Sequence, residues 1–92
     1  MRIELTEAFV RDVLALDDDQ RAATFDVLLA LPKALGAPHA HAGLGVRKLH
    51  RSGIWEARVG LQVRLVFALA GGVLILRRAG SHDEVQRYLK TL

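Results

Sequence analysis

Two arginines and a histidine are the residues of this chain best suited to chemistry. Arg58 is the last residue but one of "IWEARV", and Arg64 is the second of "VRLVFAL", after the short connection "GLQ". His82 follows a second arginine pair, Arg77 and Arg78, in "RRAGSHDEV". Guanidinium groups that bracket a phosphate stabilise extra negative charge on phosphorus, and an imidazole moves protons near neutral pH. RNA brings its own nucleophile, the 2′-hydroxyl, so such a set is the minimum for cleaving an RNA backbone. The same cations also suffice to bind a phosphate without cutting it.

The positions of these groups depend on strand register. If "VGLQV" is a hairpin turn with Val59 opposite Val63, Arg58 sits directly opposite Arg64. Like charges opposed across strands destabilise a sheet by roughly 0.2–1 kcal/mol, and an anion held between them reverses the sign. Glu56 shares the Arg58 face and is the residue that would neutralise one arginine instead. The next strand returns through "AGG". A two-residue turn there places Arg77 on the Arg58/Arg64 face, and a three-residue turn places Arg78 there; both remain open. Arg47 and Lys48, in "VRKLH", add charge from the neighbouring strand.

Charge is divided between the halves of the chain. Residues 1–46 hold 4 Lys/Arg and 7 Asp/Glu, a net of −3; residues 47–92 hold 9 and 3, a net of +6, and together they give the +3 of the whole. A basic half points to an anionic partner, nucleic acid first. Cysteine is absent, which excludes disulfides and thiolate metal sites. His39 and His41 lie two apart in "GAPHAHAGLG" without a third ligand, so no metal is expected. No apolar run approaches the roughly 20 residues that span a bilayer. The start "MRIELTEAF" lacks the basic-then-apolar pattern of a signal peptide, so a cytoplasmic protein is expected.

The elements that must hold these residues follow from periodicity. "RIEL" alternates as a short strand. Thr6 caps a helix in which Phe9, Val13 and Leu16 make one apolar stripe. "LDDDQ" ends that helix and starts another, with Ala22, Phe25, Leu28 and Leu29 as its stripe and Pro32 and Gly36 bending or ending it. Residues Gly36 to Gly45 compose a loop. From Val46 the period becomes that of strands: "VRKLH", "IWEARV", "VRLVFAL", then the hairpin "AGG" and the strand "VLILRR", apolar on both faces as a central strand would be. A short helix follows from His82 to Lys90. The expected fold is a single α+β domain over residues 1–92. An N-terminal strand and helical hairpin pack on an antiparallel sheet of three to four further strands, with the C-terminal helix at an edge or across the other face. Phe9, Val13, Leu16, Phe25, Leu28, Leu65, Phe67, Leu74 and Leu76 form the expected core, and Trp55 points to the helices. His50, beside Arg51 and Ser52, is expected in a solvated turn.

The stretches "RKLHRSGIWEARV", "VRLVFAL", "GGVLIL" and "RRAGSHDEV", in this order, resemble the RelE/ParE superfamily of toxin–antitoxin toxins. The resemblance covers most of the chain. It implies a small toxin held inactive by a cognate antitoxin. RelE-like members cut mRNA on the ribosome and leave a 2′,3′-cyclic phosphate; ParE-like members poison DNA gyrase. By this resemblance Arg64 matches the arginine that opens the "RLVF" strand of the nuclease branch, His82 its C-terminal catalytic residue, and Arg58 a basic strand position. Arg47 falls where some members place a glutamate or histidine base. The implied roles are catalysis for His82, Arg58 and Arg64, and RNA binding for Arg47, Lys48 and Arg78, with no cofactor and no membrane. Two departures stand out: Arg47 is no base, and Gln86 replaces the tyrosine of the family's ending, with Tyr88 two residues on. They leave a non-catalytic module of the same fold, directed at gyrase or serving as an adaptor, as the alternative.

Overall fold

The computed structural model describes residues 1–36 and 41–92. Five strands, β1 (Arg2–Leu5), β2 (Arg47–His50), β3 (Ile54–Val59), β4 (Val63–Ala70) and β5 (Val73–Gly80), form one sheet in the order β1-β5-β4-β3-β2. Strands β2 to β5 run antiparallel to their neighbours, as expected, and are four in number. β1 joins the far edge parallel to β5, so the sheet is mixed and β5 is an interior strand, which explains its apolar character on both faces.

The helices α1 (Glu7–Ala15) and α2 (Asp18–Leu35) cover one face; α4 (His82–Leu89) crosses the other. Thr6 caps α1 by accepting from the Phe9 N–H, and Asp17 caps α2 by accepting from the Gln20 N–H. The main core lies between α1, α2 and the sheet and contains Phe9, Val13, Leu28, Leu65, Phe67, Leu74 and Leu76; Leu16 and Trp55 pack against it. A second cluster joins Ile54 and Val66 of the sheet to Val85 of α4, flanked by Leu49, Ala68, Tyr88 and Leu89.

Two expectations need correction. The buried stripe of α2 is Thr24, Leu28, Leu31 and Ala34; Ala22, Phe25 and Leu29 face outward, Leu29 with 70 % exposure. The Thr24 hydroxyl donates to the Gln20 carbonyl at 2.7 Å, so this polar side chain is buried without an unmet hydrogen bond. Pro32 lies inside α2, which continues to Leu35 and ends at Gly36. Part of the expected loop is the short helix α3 (His41–Leu44). His39 and the side chain of His41 lie outside the described residues.

The length of the β4–β5 turn does not by itself decide between Arg77 and Arg78, contrary to expectation. Ala70 pairs with Val73, so the turn has two residues, Gly71 and Gly72, at φ 56° and 77°. Both are left-handed, the tight hairpin geometry that glycine tolerates best. Unbroken register from this turn would put Arg77 opposite Val66 and Arg78 opposite Leu65, inside the core. A bulge intervenes: Phe67 pairs with Leu76, but Val66 pairs with Arg78. Arg77 is the extra residue, Arg78 takes the Arg64 face and Ala79 enters the core.

α1 holds the bulge in place. β1 pairs with β5 only as far as Leu76, which leaves the rest of that edge without a strand partner. The Thr6 N–H and hydroxyl both donate to the Leu76 carbonyl, and the hydroxyl also reaches that of Arg77. Asp12 accepts from the Ala79 N–H at 2.9 Å and from Arg78 Nε and Nη2 at 2.7 and 3.2 Å.

The start of α4 is fixed by a reciprocal cap. The Ser81 hydroxyl accepts from the Glu84 N–H, and the Glu84 carboxylate accepts from the Ser81 N–H at 3.0 Å. The hydrogen bonds from the Ser81 backbone and side chain hold the Glu84 carboxyl below its ordinary pKa. A carboxyl with a depressed folded-state pKa contributes stability above its unfolded value and loses it as pH falls through the folded one. Thermal melting of Glu84→Gln is therefore expected to fall below that of the natural chain at neutral pH and to converge with it in acid. A constant difference at every pH would mean that the carboxylate charge plays no part in the cap.

Candidate phosphate-binding cleft

The basic groups gather at the end of the sheet that α4 leaves uncovered. Arg58 and Arg64 are direct partners across β3 and β4, and Gly80 of β5 is the next partner of Arg64. The row Gly80–Arg64–Arg58 crosses three strands, about 10 Å at the usual strand spacing. α4 follows Gly80 after its N-cap Ser81, and exposed His82, its first helical residue, stands two positions along the chain from the strand partner of Arg64. The partial positive charge of a helix N-terminus favours anions there as well.

An open cleft of about 410 Å³ marks this place, lined by Gly45, Val46, Arg47, Glu56, Arg58 and Arg64. Gly45, at φ 60°, has the Arg58 side chain lying against it; a β-carbon there would come within 2.4 Å of Arg58 Nε. Glycine is thus required at position 45 for its backbone and for the room it leaves Arg58. Neither Arg58 nor Arg64 forms an ion pair among the described residues. Arg64 makes only a long bond of 3.3 Å to the neighbouring Val63 carbonyl.

Glu56 does not neutralise Arg58. It is buried, with 3 % exposure, and accepts from Arg47 Nε at 2.7 Å across the β2–β3 pair. Its participation is the element of the cleft that residue types alone did not assign; the signal available was its place on the Arg58 face. Arg47 lines the cleft, and its side chain remains 62 % exposed despite the pair. Lys48 pairs with Trp55 and so lies on the opposite face of the sheet, where it cannot reach the cleft. His50 is partly buried and bonds Ser52 at 2.7 Å in the β2–β3 turn.

Arg78 shares the sheet face but not the cleft. Its guanidinium is held by Asp12, which raises its pKa further, and lies 5.6 Å from the ring centre of Tyr88. The Tyr88 hydroxyl is enclosed without a hydrogen-bond partner among the described residues. Of the residues expected at the site, the structure brings Arg47, Arg58 and Arg64 together; His82 is not among the residues that line the cleft. Lys48 and Arg78 are directed elsewhere.

No protein-family model and no curated protein matches the sequence. Several solved structures match its fold. A copper-bound mutant toxin from Helicobacter pylori is 25 % identical, with 92 % of this chain and 98 % of that chain covered and a TM-score of 0.70. A YoeB/ParE toxin from Agrobacterium tumefaciens is 22 % identical, with 89 % and 99 % covered and a TM-score of 0.68. A chain of the RelB–RelE antitoxin–toxin complex from Methanococcus jannaschii is 17 % identical, with 92 % and 96 % covered and a TM-score of 0.67. The likeness covers about nine-tenths or more of both chains each time. The chain therefore has the fold of the RelE/ParE toxin superfamily.

Proposed function

We propose that this chain is the toxin of a type II toxin–antitoxin system and acts in the cytoplasm as a ribosome-dependent mRNA endoribonuclease. The observation that carries this reading is the Arg58/Arg64 pair: two opposed arginines, in no ion pair among the described residues, lining an open cleft. A phosphodiester between them is the ligand that removes their repulsion. In the reaction the RNA 2′-hydroxyl attacks phosphorus and leaves a 2′,3′-cyclic phosphate. Arg58 and Arg64 stabilise the charge that builds on the phosphoryl oxygens. His82 gives a proton to the departing 5′-oxygen. Arg47 extends the positive surface along the RNA. The RelB–RelE complex among the fold relatives supports a cognate antitoxin as partner.

Induced expression in a bacterial host, with transcripts mapped by primer extension, tests this reading. The natural chain is expected to arrest growth and to produce cuts within translated codons. His82→Ala is expected to reduce cutting by a factor on the order of 100 or more. Uncut transcripts with the natural chain would overturn the nuclease reading.

A second reading keeps the fold without the nuclease and places DNA gyrase, or an adaptor's nucleic acid or protein, as the target. Tyr88 favours it: the ring sits with Arg78 and the hydroxyl is enclosed, so no tyrosine serves the cleft from α4. Growth arrest with DNA damage and intact transcripts is its expected result.

A further inference from the structure

We propose that Glu56 is the proton acceptor of the cleavage reaction, in the place that Arg47 leaves without a base. The inference rests on the nuclease reading above and deepens it.

Position 56 would suit the fold better as an apolar residue. Its partner on β4 is Val66, and the neighbouring same-face position on β3 is Ile54, both buried beneath α4. A carboxylate in such surroundings loses hydration, and a single ion pair offsets that loss only in part. Its one ion-pair partner, Arg47, is itself mostly exposed. Glu56 is the only buried charged residue among those described and the only carboxylate lining the cleft. Its two oxygens differ. Oε1 accepts from Arg47. Oε2 has no hydrogen-bond partner among the described residues. Glu56 itself is one of the residues that line the cleft. Arg47 holds the carboxylate in one orientation, and Arg58 and Arg64, from β3 and β4, lie one strand position further along the same face.

The step balances without any further reactant. The 2′-oxygen forms a bond to phosphorus as its proton passes to Glu56 Oε2. The bond from phosphorus to the 5′-oxygen breaks, and that oxygen takes a proton from His82. The products are a 2′,3′-cyclic phosphate and a 5′-hydroxyl. Glu56 and His82 thus serve opposite ends of the displacement, and an experiment can separate them.

The test uses purified chain, ribosomes programmed with mRNA, and single-turnover cleavage. A second mRNA carries sulfur in place of the scissile 5′-bridging oxygen, a leaving group that departs without a proton. Glu56→Gln is expected to slow cleavage of the natural RNA on the order of 100- to 10,000-fold, with little change in affinity for a 2′-deoxy, uncleavable RNA. The sulfur substrate is expected to restore cleavage by His82→Ala but not by Glu56→Gln. Glu56→Asp, which keeps the charge, covers the case in which Glu56→Gln does not fold; it is expected to show a smaller loss that sulfur likewise does not restore. Rescue of either Glu56 variant by sulfur would overturn the proposal. So would a Glu56→Gln defect confined to affinity and matched by Arg47→Met, because Glu56 would then act only by orienting Arg47. A natural chain that cleaves normally alongside an unimpaired Glu56→Gln would refute this role alone, whereas a natural chain that never cleaves would refute the nuclease reading with it.

Discussion

Arg64→Gln is expected to lower the cleavage rate on the order of 100- to 1,000-fold, the loss that follows removal of one donor aimed at transition-state charge. The same change is expected to leave the fold as stable as before, or more stable by about 0.2–1 kcal/mol, because it removes a like charge directly opposite Arg58. The signs are opposite because the repulsion exists only while the cleft is empty. Glu56 forms its ion pair with Arg47 and none with Arg58 or Arg64 among the described residues, and the strand backbone fixes both arginines at the same level of the sheet. Thermal melting of Arg64→Gln beside ribosome-programmed cleavage reads both quantities. An active variant with an intact fold would mean that no phosphate is bound between the two arginines. A variant that melts well below the natural chain would mean that the pair serves structure, not a ligand.

Asp12→Ala carries the largest expected loss of stability among the charged residues. Asp12 lies on α1 and is mostly buried, and it accepts three hydrogen bonds from the end of β5. Its removal leaves the buried Ala79 N–H without an acceptor and Arg78 without its counter-ion. Arg78 is 38 % exposed, so water compensates part of the second loss. The sum is about 2–3 kcal/mol, or roughly 10–20 °C in melting temperature for a domain of this size. Asp12→Asn keeps an acceptor for the Ala79 N–H and is expected to lose about half as much. A melting temperature for Asp12→Ala equal to that of the natural chain would show that the bulge holds without α1. Because the bulge sets Gly80 opposite Arg64, loss of this anchor is also expected to weaken cleavage beyond what the fraction unfolded explains.

Much of the architecture was legible in local patterns. The strand period of "IWEARV" and "VRLVFAL", with the turn between them, was enough to place Arg58 opposite Arg64. The "AGG" signal corresponds to a two-residue glycine turn. Thr6, Phe9 and Val13 declared the start and the buried side of α1. In α2 the pattern misled, because apolar residues occur nearly all round that helix and no single stripe stands out. Packing against β3 and β4 selected the side with Leu28 and Leu31 and left Phe25 and Leu29 outside.

At the site, the sequence alone determined which cations exist and that two of them oppose each other, since a hairpin joins neighbours in the chain. Only the tertiary structure decided which of them are free. Arg78 is neutralised by a carboxylate 66 positions away, and Arg47 is paired with Glu56 through a register between separate strands. Lys48 is turned away by that same register, in which a shift of one residue exchanges the two faces of the sheet. Ion pairing depends on distances of a few ångströms between elements, and no local period of the chain encodes those distances.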